Sequence, residues 1–183
     1  MGTLVLNGAT SGSTTIQPTD AATVTATLPG ATGTVMVSGN MPAFGAYMTN
    51  GSLNQGITSG VATKIKIDTK EFDTNSCYDA TTNYRFTPTV AGYYQVNGQF
   101  KTAGISITFA NIYVYRNGSV FKEGTASGYN ETAQSNMSVN CLMYLNGSTD
   151  YIELWGVVNA GSGVGFNYGQ SCTYFGASLV RTS

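Results

Sequence analysis

One stretch decides the fold of this chain: Arg85-Phe86-Thr87-Pro88-Thr89-Val90-Ala91-Gly92-Tyr93-Tyr94-Gln95-Val96-Asn97-Gly98. The proline and the glycine after it indicate a turn that leads into a strand, where apolar and polar side chains alternate. Because successive side chains of a strand point to opposite faces, one set is predicted to lie in the core: Phe86, Tyr94, Val96 and Phe100. The other set is a polar ladder, expected at solvent or at a subunit interface: Tyr93, Gln95, Asn97 and Gln99.

The same stretch also contains a family mark. The phrase Phe86-x-Pro88-x-x-x-Gly92-x-Tyr94-x-Val96 resembles the globular head of complement C1q, a relative of the tumour-necrosis-factor (TNF) jelly rolls. Two further phrases are similar to the opening and closing strands of such heads: Met41-Pro42-Ala43-Phe44-Gly45-Ala46-Tyr47 and Tyr174-Phe175-Gly176-Ala177-Ser178-Leu179-Val180. The resemblance covers about residues 41–183 and implies an all-β, two-sheet antiparallel jelly-roll sandwich. It also implies a homotrimer, and such heads occur at the surface of bacterial viruses.

Other short runs of the chain favour further strands. Ile105-Ser106-Ile107-Thr108-Phe109 and Ile112-Tyr113-Val114-Tyr115-Arg116 predict two strands after the central one. Asn-Gly pairs at residues 117–118 and 146–147 lie between alternating runs and predict two hairpins. The run from Tyr151 to Trp155 is predicted to bring Trp155 into the core. The glycine-rich segment at residues 161–165 is predicted to be a flexible connection between late strands.

Composition limits the possible partners. The 183 residues include 23 glycines and 12 tyrosines, and charged residues make up only 9%. This composition is typical of a turn-rich and strand-rich domain and opposite to that of a disordered chain. A net charge of -1 supplies no basic surface for nucleic acid. No apolar run approaches the roughly 20 residues that cross a bilayer, and no signal peptide is evident, so we expect synthesis in the host cytoplasm.

Residues 1–40 differ in composition from the rest and are interpreted as an extended arm. They are rich in Thr, Ala and Gly, with short alternating runs that have too little apolar surface to fold alone. The arm is expected to pair with another protein through its apolar residues, Ile16, Val24, Leu28, Val35 and Val37. A leader without a fixed partner is the alternative. Similar leaders precede such heads in phage fibre and virion proteins.

Catalytic and metal-binding chemistry is poorly represented. The chain has no histidine, so a serine or cysteine nucleophile would lack its usual base. Asp68, Glu71, Asp73 and Asp79 form the densest acidic group, for which a calcium site is one interpretation and a solvated loop the favoured one. Cys77, Cys141 and Cys172 are expected to be free thiols, with one disulfide as the alternative. We therefore expect no enzyme, no metal and no cofactor.

Two functional hypotheses remain. The first is a trimeric decoration, cement or head-fibre protein on a phage capsid, anchored through its arm to the major capsid protein or another virion protein. The second is the tip of a tail fibre that recognises a host surface ligand through loops near Gly128, Asn130 and Gly161. A sugar-binding platform is a weaker interpretation than packing for the exposed-strand aromatics: Tyr93, Tyr94, Tyr113, Tyr115, Tyr144, Tyr151 and Trp155.

Overall fold

The chain folds into antiparallel β-structure. The computed structural model describes residues 4–7, 10–17, 25, 30, 36–37, 39, 41–49, 54–128 and 134–183, and within these ranges there is no α-helix. No helix in this part of the chain is therefore long and apolar enough to span a membrane. The strands are β1 (Leu4–Asn7), β2 (Ser13–Ile16), β3 (Ala43–Tyr47), β4 (Asn54–Gly56), β5 (Thr63–Lys64), β6 (Thr69–Asp73), β7 (Tyr78–Asp79), β8 (Arg85–Phe86), β9 (Gly92–Arg116), β10 (Ser119–Ser127), β11 (Asn136–Leu145), β12 (Ile152–Asn167) and β13 (Tyr174–Thr182).

Two sheets form the head, and they share strand β9. The first sheet has the order β6-β3-β13-β9-β11 and uses residues 92–101 of β9. The second has the order β10-β9-β12 and uses residues 102–116 of β9, with β4, β5 and β8 pairing against β12 and β7 against β8. All these pairings are antiparallel, so the predicted all-β jelly-roll sandwich is confirmed.

Strand β9 differs from the prediction in its length. The sequence predicted a central strand and two later ones, whereas the structure has one strand of 25 residues that passes from the first sheet to the second. The change of direction coincides with unusual backbone conformations: Gly104 has φ 138° and Ser106 has φ 56°. Register shifts against β12 occur in the same region. Local irregularity of this kind bends a strand without ending it.

The core lies between the two sheets and is rich in aromatic rings. Phe86, Tyr94, Val96 and Phe100, the residues of the predicted inward set, are fully buried. The Phe44 ring stacks on Tyr78 at 4.5 Å and on Phe86 at 4.7 Å between ring centroids. Offset and edge contacts of this kind add to the stabilisation that burial of the apolar surface provides.

Trp155 is a correction to the predicted core. Its neighbour Leu154 points inward and is buried, which places Trp155 on the outer side of β12, where it is only half-buried. There its ring stacks on Tyr115 at 4.5 Å, and its Nε1–H donates a hydrogen bond of 3.0 Å to Glu153. The indole N–H thus finds a partner that the apolar interior does not offer.

One of the two predicted hairpins is confirmed. Asn117 (φ 53°) and Gly118 (φ 80°) form a two-residue turn, and Arg116 pairs directly with Ser119. Positive φ at both central residues is the conformation that an Asn-Gly pair favours. The prediction for Asn146-Gly147 was wrong, because β11 pairs with β9 in the first sheet and β12 pairs with β9 in the second. This turn crosses between the sheets.

The glycine-rich segment at residues 161–165 is also a correction. It lies within β12 rather than in a connection between strands. Gly163 has φ 64° at a bulge between the paired residues Ser162 and Gly165. A Cβ on Gly165 would lie 2.5 Å from the carbonyl oxygen of Gln55, so glycine allows β4 to approach this part of β12.

The N-terminal residues form a unit of their own. The chain divides into residues 1–34 and residues 35–183. In the first unit β1 and β2 pair as a hairpin, and the side chains of Val5, Leu6 and Ile16 are exposed. Of the other predicted arm residues, Val37 is exposed, while Val24, Leu28 and Val35 lie outside the described residues. The arm boundary at residue 40 remains a prediction.

Candidate functional site

The outer face of the first sheet is a broad surface built from all five of its strands. The strand registers align its outward side chains in four rows. The rows are Arg181, Tyr93 and Tyr144; then Ala43, Ser178, Gln95 and Leu142; then Phe72, Gly45, Gly176, Asn97 and Asn140; and then Thr69, Tyr47, Tyr174, Gln99 and Ser138. We call this surface the outer face.

The outer face carries apolar and aromatic groups and few charged ones. Leu142 is 54% exposed, Phe72 is 51% exposed and Tyr93 is 40% exposed. The rings of Tyr93 and Tyr144 meet edge to face at 5.6 Å between centroids. Arg181 lies over the Tyr93 ring in the end row. The carboxylate of Glu71 reaches the third row, where its Oε2 is 3.3 Å from the position that a Cβ on Gly45 would take, and it lines the central depression. Depletion of charge together with exposed aromatic rings is typical of the centre of a protein interface.

Paired glycines make a shallow depression in the middle of the outer face. Gly45 and Gly176 lie side by side in the third row. The Phe72 ring packs over Gly45, with its Cε1 only 2.7 Å from the position that a Cβ would take. Next to Gly176 is the side-chain amide of Asn97, and the depression encloses about 220 Å³. The surface therefore has relief that a partner side chain could fill.

The structure places the predicted polar ladder on β9, the fourth of the five strands of the outer face, between β13 and the edge strand β11. Tyr93 and Gln95 are exposed, while Asn97 and Gln99 are half-buried. Gln99 is held at both ends of its amide: its Nε2 donates to the Cys172 carbonyl oxygen at 3.2 Å, and its Oε1 accepts from the Tyr174 hydroxyl at 3.5 Å. The ladder is thus one strand of a larger surface.

Sequence reasoning missed the residues that flank the ladder. Leu142 and Tyr144 come from β11, Tyr174 from β13 and Phe72 from β6. Alternation in β11 was a usable signal, since residues 137, 139, 143 and 145 are buried and residues 136, 140, 142 and 144 are exposed. Alternation alone does not reveal which strands are neighbours.

The acidic residues hold loops instead of converging on one point. Asp68 Oδ1 accepts from the Thr49 amide at 2.8 Å, and Asp73 accepts from the amides of Cys77 and Tyr78 at 2.8 and 3.1 Å. Glu71 accepts a hydrogen bond from Gln170. Within the described residues, no group of three or more acidic, cysteine or histidine side chains is arranged to hold a metal ion.

Asp79 illustrates how such a carboxylate shapes a loop. It accepts from the amides of Thr81, Thr82 and Asn83 at 2.9 to 3.0 Å, and from Asn83 Nδ2 at 2.7 Å. The backbone hydrogen bonds from Thr82 and Thr81 hold the pKa of this carboxyl well below its usual range. The loop that leads to Tyr84 and β8 is therefore fixed by one side chain.

The aromatic residues considered as a sugar platform do not form one surface. Tyr94 is in the core, and Tyr93 and Tyr144 are on the outer face. On the second sheet, Trp155 lies opposite Tyr113 and stacks on Tyr115, while Arg85 lies over the Tyr151 ring. Beside this group, Lys64 Nζ lies 2.6 Å from the buried Glu153 carboxylate. These rings thus pack against partners within the chain, at separate places on the head.

A separate pocket opens on the head, away from the ladder. It has a volume of about 290 Å³ and is lined by polar and aromatic side chains, among them Asn54, Gln55, Lys66, Asp68, Tyr84 and Tyr168. The loops near Gly128 and Gly161 do not line it, and Asn130 lies outside the described residues.

The three cysteines are free thiols, with Cys77 buried and the other two half-buried.

Comparison with known proteins places the fold. No family model matches the sequence, and no curated protein is similar to it. The structure is similar to murine APRIL, with a TM-score of 0.58 and 12% identity over 76% of this chain and 99% of that one. It is also similar to the globular domain of zebrafish complement 1qA protein, with a TM-score of 0.54 and 15% identity over 78% and 99%. The fold is the jelly roll of the TNF and complement C1q proteins.

A third solved structure is similar to this chain. Eiger TNF from S. frugiperda has a TM-score of 0.55 and 10% identity, over 79% of this chain and 95% of that chain. The matched structures are thus covered almost completely. At 10 to 15% identity the shared feature is the sandwich itself.

Proposed function

We propose that this chain is a non-enzymatic, homotrimeric surface protein of a bacteriophage particle, a capsid decoration, cement or head-fibre protein anchored by its N-terminal arm. The observation that carries the proposal is the outer face, a surface with few charged groups and with exposed Leu142, Phe72 and Tyr93. Large exposed apolar patches on soluble domains mark interaction sites. The resemblance of the central stretch to heads found on bacterial viruses supplies the viral setting.

The outer face suits a closed trimer. Most of its polar groups are amides and hydroxyls, which can pair with the same groups of a symmetry-related copy. The Glu71 carboxylate at the β6 side already accepts a hydrogen bond from Gln170. Three heads around a threefold axis would cover the face on every subunit and leave no copy of it open to continued growth. We propose that Tyr93, Gln95, Asn97 and Gln99 lie in this interface, together with Leu142 and Tyr144.

The N-terminal unit supports an anchoring role. An isolated two-stranded hairpin is marginally stable in water, yet β1 and β2 expose Val5, Leu6 and Ile16. A strand of another protein added to such a hairpin would pair its open edge and cover these side chains. The proposed partner is the major capsid protein or another virion protein, and no nucleic acid or membrane partner is proposed.

A second candidate is the receptor-recognising tip of a tail fibre. The pocket of about 290 Å³ favours it, because a structural decoration has no need of a polar concave site. The two candidates share the fold and the trimer and differ in where the trimer is located on the particle.

Labelling of purified particles with an antibody against the head tests the proposal. Decoration predicts label at regular sites over the whole shell, while the second candidate predicts label confined to the tail. Absence of label from every particle would contradict both candidates and leave the viral role without support.

The same particles test the arm. Protein lacking residues 1–40 is expected to keep the trimeric head but to fail to bind particles from which the native protein has been removed. The full-length protein is the matched control, and it should bind again. Normal binding of the shortened protein would show that the head, and not the arm, makes the attachment.

A further inference from the structure

We infer that the pocket lined by Gln55, Asp68, Tyr84 and Tyr168 binds a single ring of a neutral carbohydrate. The inference goes beyond the proposed function, because every lining residue belongs to one chain and the pocket would be the same on a capsid or on a tail. It also differs from the loop positions near Gly128 and Gly161 that the sequence suggested for recognition.

The pocket walls are fixed by hydrogen bonds. The Gln55 side chain donates from Nε2 to the Lys64 carbonyl oxygen at 2.8 Å and accepts at Oε1 from the Lys66 amide at 2.9 Å. Asp68 Oδ1 accepts from the Thr49 amide at 2.8 Å and from the Thr69 hydroxyl at 3.1 Å. A ligand would therefore meet groups whose positions are set before it arrives, which reduces the entropy lost on binding.

Tyr84 is held in an unusual backbone conformation at the pocket. Its φ is 50°, a value that a bulky residue rarely adopts. The loop before it is fixed by the Asp79 carboxylate, and the Lys64 ammonium donates to the Asn83 carbonyl oxygen at 3.2 Å. The surrounding contacts thus hold the Tyr84 backbone in a conformation of higher energy, and this conformation places the tyrosine side chain in the pocket wall.

Several polar atoms in the pocket have no protein partner. In the described part of the chain, nothing forms a hydrogen bond with Asp68 Oδ2, Lys66 Nζ or the hydroxyls of Tyr84 and Tyr168. These atoms offer one pure acceptor, one pure donor and two groups that do both. A polyhydroxylated ligand, whose hydroxyls also donate and accept, can pair with all of them.

Charge and size narrow the ligand further. One lysine and one aspartate line the pocket, so it has no net charge that would select a strongly anionic or cationic ligand. Two tyrosine rings provide apolar faces against which the C–H groups of a sugar ring can pack. At about 290 Å³ the pocket is at the small end of ligand sites, which fits one ring better than a buried chain.

Saturation-transfer NMR on the full-length protein tests the inference. The probes are the methyl glycosides of glucose, galactose, mannose and N-acetylglucosamine, with free glycine as a small zwitterionic probe. We expect transfer to at least one glycoside and none to glycine. Transfer to glycine alone, or to no probe, would overturn the inference. An array of bacterial surface glycans then distinguishes a terminal sugar of a polysaccharide from a free monosaccharide.

Two conservative variants show whether the binding occurs in this pocket. Asp68→Asn keeps the acceptor that holds Thr49 but replaces Oδ2 with a donor, and Tyr168→Phe removes one hydroxyl while keeping the ring. Each is expected to weaken glycoside binding about tenfold. The matched control is Tyr113→Phe on the second sheet, which should bind like the native protein. Unchanged binding by both pocket variants would overturn the inference.

Folding and assembly are measured on the same samples. Solution mass is expected to be unchanged in Asp68→Asn and Tyr168→Phe, because neither residue belongs to the outer face. Tyr168→Phe should unfold at the native temperature and Asp68→Asn slightly below it, because the hydrogen bonds from Thr49 and Thr69 then lack a charged acceptor. A native-like, trimeric protein that binds no glycoside would overturn the pocket inference and leave the proposed function intact. A monomeric protein that binds glycoside would contradict the proposed function and support the pocket inference.

Discussion

At the scale of single residues, side-chain carboxylates and amides hold the long loops of the head in place. Asn146 Oδ1 accepts from the amides of Ser148, Thr149 and Asp150 at 2.9 to 3.0 Å, and Asp150 accepts from the Asn146 amide at 3.0 Å. Asp150 also accepts from Asn117 Nδ2 at 2.7 Å, so two turns distant in sequence share one carboxylate. The bonds from the backbone amides satisfy groups that no strand partner satisfies.

Asp79→Asn tests the strength of this kind of bond. The amide can replace one acceptor oxygen but not both, so we expect a loss of about 1 kcal/mol in the free energy of unfolding at pH 7. The measurement is denaturant unfolding of the variant and the native protein. Glu71→Gln at the exposed edge strand β6 is the matched control: its amide oxygen can still accept the single hydrogen bond from Gln170, so stability should change by less than about 0.5 kcal/mol.

The pKa of Asp79 also predicts how the difference in unfolding free energy between the native protein and Asp79→Asn depends on pH. The folded protein holds that pKa below the value in the unfolded chain, which is about 3.9. The stabilisation is therefore complete above the unfolded pKa and is lost as pH falls from about 4 through the depressed folded pKa. The native protein and Asp79→Asn should converge in stability over this acidic range. Unfolding curves that stay equally far apart from pH 7 to pH 2 would contradict this assignment.

At the scale of elements, glycines determine how closely the two sheets approach. A Cβ on Gly98 of β9 would lie 2.5 Å from Leu154 Cδ1 of β12. A Cβ on Gly156 would lie 2.7 Å from Phe100 and 2.8 Å from Phe166. Leu154, Phe100 and Phe166 therefore fit into the core because these glycines leave space beside them.

Gly98→Ala tests this close approach. The added methyl group would force Leu154 away, and we expect a loss of about 1–3 kcal/mol in the free energy of unfolding. Denaturant unfolding measures the change, and Gly128→Ala is the control, since nothing lies within 4 Å of a Cβ at that position. Equal effects of the two substitutions would contradict the packing described for β9 and β12.

Features set by neighbouring residues could be predicted from the sequence, whereas features set by the pairing of distant strands could not. The turn at Asn117-Gly118 was predictable because the two residues themselves favour positive φ. The turn at Asn146-Gly147 has the same residues, but it joins strands of different sheets, and that depends on the register of β11 and β12 against β9. The position of Trp155 was missed for a similar reason, since its outward direction follows from the pairing of β12 and its polar partner Glu153.

At the scale of the whole molecule, the sandwich leaves one broad face with few charged groups. Alternation along β9 was enough to predict its outward residues, Tyr93, Gln95, Asn97 and Gln99. The rest of the outer face comes from strands far apart in sequence, as in the row that joins Phe72 to Asn140. The pocket was not predicted at all, because Gln55, Tyr84 and Tyr168 converge only after folding.

The central claim is that this outer face joins three copies of the chain. Gln95 lies in the uncharged second row, between Ser178 and Leu142. Gln95→Glu would place three like charges near the threefold axis in a partly desolvated interface, where their repulsion is weakly screened. The matched control is Gln134→Glu, an exposed glutamine outside the four rows.

The most direct test is the solution mass of these proteins by light scattering. The account predicts three times the 19.2 kDa of one chain for the native protein and for Gln134→Glu. It predicts a mass shifted toward a single chain for Gln95→Glu at the same concentration. A native protein with the mass of one chain, or a Gln95→Glu variant that keeps the full trimer mass, would contradict it.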